Sequence, residues 1–179
     1  MSWEDKRIES LPSVGVIVAR FQAPQLTNGH EDFITHVMKH NDYTIVFLGT
    51  CPVDERNPLP FAFRRASVES FMRGLIILPF EDMPNEDEKW TRKLEQTVGN
   101  IFPFDKYNIT FYGGRDSTFL KAYKEFGKFR REEVAGGIEV SATKVRQTIL
   151  KDPSYTLEFR AGTIYGVNLA LGGKDVKFR

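Results

Sequence analysis

Disulfides are the first thing this sequence cannot have, because its one cysteine, Cys51, has no partner within the 179-residue chain. No apolar run approaches the roughly 18 to 20 residues needed to span a bilayer, and the opening MSWEDKRIES lacks the apolar core of a signal peptide. A reducing, cytoplasmic setting without membrane contact is therefore expected. Charge of one sign is missing too: 25 basic and 24 acidic residues leave a formal net charge of +1. That excludes the electrostatic footprint of a dedicated nucleic-acid binder, and any anion site must be local. Only His36 and His40 have a zinc-compatible spacing on one predicted helix; with no third ligand nearby, a solvated face is expected and no metal site. No Ser/His/Asp arrangement, repeat or low-complexity linker is present. What is plentiful is aromatic, with 15 Phe that predict many aromatic core positions.

The chain is organised around 14–30, VGVIVARFQAPQLTNGH. Four β-branched residues and a Gly form a buried strand that ends in a basic, Pro-containing loop and then Asn-Gly-His at a helix start. Further strands are predicted at 43–49 (YTIVFLG), 75–80 (LIILPF) and 107–112 (YNITFY), with a last short strand or extended piece at 134–140. Helices are predicted after Gly29, over FAFRRASVESFM, at about 88–98, after Ser117 and over 142–150. Strands alternating with helices at this spacing predict a single Rossmann-like, doubly wound α/β domain, its mainly parallel sheet flanked by helices. Residues 1–12 read as an N-terminal arm, 13–165 as the domain and 166–179 as a C-terminal extension.

In such a sheet, ligands sit beyond the carboxyl ends of the strands, where a helix N-terminus offers unpaired N–H groups to an anion. Arg20 and His30 would face that crevice, and Gly29 would let the backbone approach a phosphate. A surface or capping role is the plainer alternative for His30, and an ion pair within the crevice for Arg20. At 141–146, SATKVR, Ser141 suits a helix cap, Thr143 lies in the first turn and Arg146 follows one turn later on the same face, so hydroxyl, N–H and guanidinium can converge on phosphates.

RFQ…TNGH resembles the (H/T)xGH phosphate-binding signature of the nucleotidyltransferase superfamily, and SATKVR resembles that superfamily's late SxTxxR signature. The chain is most similar to the nicotinamide mononucleotide (NMN) adenylyltransferase domains that stand alone in archaea and are fused to Nudix hydrolases in bacteria and phages. Ala19 stands where Gly is usual, Thr27 where many relatives have their first His, and the intervening loop is two residues longer than in GRFQPFHxGH.

The resemblance implies adenylyl transfer from ATP to NMN, with ATP and NMN as substrates, magnesium carried mainly by the ATP phosphates, and no covalent intermediate. His30, Arg146 and Thr27 would be catalytic. Arg20, Phe21, Gly29, Gly113, Asp116, Ser141 and Thr143 would help hold ATP, with Gly113 and Asp116 in YGGRDS carrying the ribose. Arg64, in the segment beginning Asn57-Pro58-Leu59, would meet the acceptor phosphate. Trp90 would stack on the nicotinamide by the cation–π mechanism, with Asp82 and Asn85 near its amide. A different phosphorylated acceptor such as phosphopantetheine, or nucleotide sensing without turnover, stays open. So do a homo-oligomer and, for a phage-encoded chain, a host cytoplasm; the Nudix signature of fused relatives is absent from this sequence.

Overall fold

The β-branched run near the start becomes the middle strand of the sheet. β1 (Ser13–Ala19) is buried through its interior and pairs in parallel with β2 (Tyr43–Thr50) on one side and β4 (Asn108–Gly114) on the other. β3 (Ile76–Glu81) extends the sheet beyond β2, and β5 (Arg130–Val134) beyond β4, again in parallel, giving the order β3-β2-β1-β4-β5. The structure, a computed structural model, describes residues 11–23, 26–54, 57–114 and 117–134.

Parallel strands covered on both faces must be apolar on both. β1 sends Val14, Val16 and Val18 into one core and Ile17 into the other; β2 divides Ile45 and Phe47 from Val46 and Leu48 in the same way. Among the described residues four helices supply the covers: α1 (Asn28–Lys39), α2 (Phe61–Phe71), α3 (Asp87–Ile101) and α4 (Thr118–Phe126). α1 and α2 contribute Ile34, Val37 and Val68 to one core, whereas α3 and α4 contribute Leu94, Val98, Phe119 and Tyr123 to the other. This is a Rossmann-like α/β domain. Its winding reverses between β1 and β4, so the carboxyl ends of those two strands flank the switch point. Gly15 permits the close approach of α1: a Cβ there would lie 2.4 Å from Val37 Cγ1.

One element departs from the sequence reading. β5 lies at Arg130–Val134, ahead of the expected strand at 134–140, of which all but Val134 falls outside the described residues. Its sequence, RREEV, is polar because it is an outer strand with only Glu132 and Val134 half-buried. The lead into it is held by a buried carboxylate. Glu95 Oε1 accepts from the Tyr123 hydroxyl at 2.9 Å and from the Lys128 N–H at 2.7 Å, while Arg92 Nη1 stands 3.6 Å from Oε2. Burial, with the Glu95 charge beside it, pushes the Tyr123 phenol far above its ordinary pKa.

Thr91, on the same helix, is fully buried, and its hydroxyl has no hydrogen-bond partner among the described residues. Replacing an orphaned buried hydroxyl by a methyl of the same shape removes a desolvation penalty. Thr91→Val is therefore expected to raise stability by about 1 kcal/mol, read as a higher urea midpoint at unchanged slope.

Candidate active site

At the carboxyl end of β1 the backbone turns sharply. Arg20 leaves the strand exposed, and Phe21 adopts a left-handed conformation with φ of 45°, a region costly for a bulky side chain and concentrated at functional sites. That turn buries the Phe21 ring and sets it 4.8 Å from the ring of His30, tilted by 53°.

His30 is the third residue of α1 and closes a reciprocal cap. The His30 N–H donates to Thr27 Oγ1, and the Thr27 N–H donates to His30 Nδ1, both at 3.3 Å. In most capping boxes Glu or Gln fills this place. With Nδ1 accepting, the neutral ring carries its proton on Nε2, so the free nitrogen is a donor. Desolvation lowers the pKa to about 4, so the ring is neutral at pH 7. The first-turn N–H groups of Asn28 and Gly29 have no intrahelical partners, adding donors at the positive end of the helix dipole.

The sign of the His30 shift has a measurable consequence. Between about 6.5 and about 4 the unfolded imidazole binds a proton that the folded one refuses. The stability contributed by neutral His30 is therefore complete above about 6.5 and is lost as pH falls towards 4. Denaturation midpoints followed from pH 7 to pH 4 should fall more steeply for the wild type than for His30→Gln.

A second group of side chains joins the loops after β1, β2 and β3. Arg20 donates from Nη1 to Asn57 Oδ1 at 2.9 Å and forms an ion pair through Nη2 with Asp82, just past β3. Arg64, in the first turn of α2, is only 3% exposed. Its Nε donates to the Leu59 carbonyl at 2.9 Å and its Nη1 to the Arg20 carbonyl at 2.7 Å. Burial pushes the Arg64 guanidinium below its ordinary pKa, an effect opposed by the nearby Cys51 and Asp82. Burial also raises the Cys51 thiol, which disfavours thiolate chemistry. Neighbouring Arg65 instead pairs on the surface with Glu69.

Arg20, Arg64 and Asp82 are thus brought together, and His30 meets the ring of Phe21, the residue after Arg20. Other candidates lie outside these bonds. Trp90 packs edge-on against Phe80 and Phe119 at 5.3 and 5.8 Å, and its indole N–H donates to the Glu81 carbonyl at 3.2 Å. Asn85, at φ 62°, borders an open depression of about 860 Å³ together with Glu86, Arg92 and Phe126, remote from Arg20 and His30 in its lining. Gly113 meets helix packing: a Cβ there would lie 2.4 Å from Leu120 Cγ. Asp116, Ser141, Thr143 and Arg146 lie outside the described residues. His36 and His40 stack at 4.3 Å, and His36 Nε2 faces Glu132 at 3.5 Å.

Gln22 was not singled out from the sequence, although it belongs to the RFQ stretch. It is 7% exposed, accepts from the Leu59 N–H at 3.0 Å and donates to the Leu59 carbonyl at 3.4 Å. Among the described residues no group of three or more His, Cys, Asp or Glu could hold a metal ion, and the Asp82 carboxylate is engaged by Arg20.

No protein-family model matches the chain, and no curated protein matches it. Solved structures do. A bifunctional NMN adenylyltransferase/ADP ribose pyrophosphatase from Francisella tularensis, complexed with AMP and a manganese ion, superposes with a TM-score of 0.65 at 21% identity, over 79% of this chain and 42% of that one. NadR protein, in complex with NAD and AMP-PNP, gives 0.54 at 15% identity over 82% and 44%. TmcAL from Thermotoga maritima, bound with alpha-thio ATP, gives 0.55 at 10% identity over 89% and 55%. The chain spans less than half the length of the first two. At these identities the likeness is one of fold: this chain shares the Rossmann-like α/β architecture of three proteins crystallised with adenine nucleotides or their analogues.

Proposed function

We propose that the protein transfers the adenylyl group of ATP to the phosphate of NMN, giving NAD and pyrophosphate. The observation that carries the reading is an Nε2-donating His30 at the N-terminus of α1, its ring 4.8 Å from that of Phe21, the residue that follows Arg20 at the carboxyl end of the central strand. The name of the Francisella neighbour adds support for NMN adenylyl transfer on this fold, and NadR was crystallised with NAD, the product of that transfer.

In this reading an oxygen of the acceptor phosphate attacks the α-phosphorus, and the bond from that phosphorus to the oxygen bridging to the β-phosphate breaks. Pyrophosphate leaves with the electron pair. No protein nucleophile is needed, so catalysis is alignment and charge stabilisation. His30 Nε2–H and the first-turn N–H groups hold phosphate oxygens, a contact that strengthens as charge moves onto the leaving group. A neutral donor keeps this role across the physiological pH range. Arg20 and Arg64 supply positive charge for the acceptor phosphate, with one of those charges balanced by Asp82. Trp90 stacks on the nicotinamide beside Asp82 and Asn85. Gly113 and Asp116 carry the adenosine ribose, and Ser141, Thr143 and Arg146 take the β- and γ-phosphates. Thr27 orients His30 through the cap. Magnesium enters as part of the MgATP substrate, and no step is assigned to it.

The test is pyrophosphate release from MgATP with NMN, nicotinate mononucleotide, phosphopantetheine or no acceptor. Release that depends on NMN, with NAD as product, supports the reading. Release with phosphopantetheine alone moves the acceptor, and nucleotide binding without release under any condition makes the chain a sensor.

A further inference from the structure

We infer that Gln22 is a positioning residue for the acceptor anion, acting through the backbone of Leu59; the inference rests on the NMN reading above. Its carboxamide is more than nine-tenths buried and meets both polar atoms of one peptide residue, accepting from Leu59 N and donating to Leu59 O. A side-chain amide used this way replaces one rung of a strand ladder between two segments that are not strands. The segments are the loop leaving β1 and the stretch that leads into α2.

What this rung fixes is the pair of cations. The Leu59 carbonyl also accepts from Arg64 Nε at 2.9 Å, Arg64 Nη1 reaches back to the Arg20 carbonyl at 2.7 Å, and Arg20 Nη1 holds Asn57 Oδ1 at 2.9 Å. Gln22, Leu59, Arg64, Arg20 and Asn57 therefore form one closed circuit of bonds across the two loops. Leu59, 2% exposed, locks it from below. With two bonds the amide sets both the separation and the register of the loops, whereas the Arg20–Asn57 bond alone sets only separation. Opening the circuit at Gln22 leaves both guanidinium groups charged and held by Asn57, Asp82 and the two carbonyls but no longer fixes the register of the two loops, and a displacement near 1 Å is enough to lower an alignment-dependent rate or affinity up to about a hundredfold.

Gln22→Met fills the same volume without either bond. Its KM for NMN is expected to rise about tenfold to a hundredfold, with KM for ATP within about twofold, because in the reading above both guanidinium groups of the circuit serve the acceptor phosphate. NMN affinity measured by calorimetry should fall in parallel. Unchanged NMN parameters, or NMN and ATP parameters that worsen together with thermal stability, would overturn the assignment. A measurement on the wild type guards against a variant that does not fold. The Leu59 amide should exchange with solvent more slowly than that of exposed Val53 in the same loop, and slower still with saturating NMN but not with ATP alone. Fast exchange, or indifference to NMN, also overturns it. A wild type that binds NMN without releasing pyrophosphate sinks adenylyl transfer and leaves Gln22 standing on affinity; one that neither binds nor converts NMN removes both.

Discussion

His30→Ala should lower NMN-dependent pyrophosphate release about a hundredfold to a thousandfold, the usual consequence of deleting a preorganised donor to a developing negative charge. The substitution removes two things at once, the Nε2 donor and the Nδ1 acceptor that takes the Thr27 N–H. Loss of the cap alone costs about 1 kcal/mol, too little to unfold a domain with two apolar cores. His30→Gln separates the two roles. Gln is a usual residue at this place in a capping box and can take the Thr27 N–H again, but its amide then has no ring nitrogen on the far side to offer a phosphate. Stability is expected to return with Gln while the rate stays low. A folded His30→Ala enzyme with turnover within about threefold of wild type would contradict the mechanism.

Glu95→Ala is expected to produce the largest loss of stability, about 3 kcal/mol. Two donors, the Tyr123 hydroxyl and the Lys128 N–H, converge on one oxygen of the buried Glu95 side chain, and the fully buried Tyr123 hydroxyl is orphaned when that oxygen is removed. Each orphaned buried donor costs about 1 to 3 kcal/mol, and bonds to a charged acceptor lie at the upper end. For a chain of this size that corresponds to a fall in Tm of about 6 to 12 °C. Glu95→Gln retains an acceptor oxygen and is expected to lose less than half as much. Calorimetry on the three proteins decides it: an alanine variant within 1 °C of wild type would mean that the β5 connection is held by something else.

The two predictions rest on features of unequal visibility in the sequence. Covered parallel strands read as unbroken apolar runs, so 14–18, 43–49 and 107–112 announced themselves, and the crossovers followed from the helices between them. RREEV did not, because an outer strand with one face to water carries no such run. The Thr27–His30 cap is local, three residues from donor to acceptor, yet the sequence offers capping only as the plainer alternative for His30 and says nothing of Thr27 as its partner. The Arg64 and Gln22 bonds were not legible. They span 44 and 37 residues, and only the fold brings those segments to the same end of the sheet. Trp90 shows a further limit: its position after an acidic loop was visible, but not that its edges would be held by Phe80 and Phe119.

The position of β1 also bears on how the chain is made. Its first edge finds β2 soon, since Val14 pairs with Tyr43. Its second edge pairs Ser13 with Asn108, so during synthesis the strand that carries the site waits, half-laddered, until Asn108 has emerged. Until then the Gly15 to Ile17 backbone presents open donors and acceptors to any extended segment nearby. Two devices keep that wait safe for the later site: the strand is short, and Arg20 follows it at once, a charge at the end of the unpaired edge that discourages stacking against a second nascent chain.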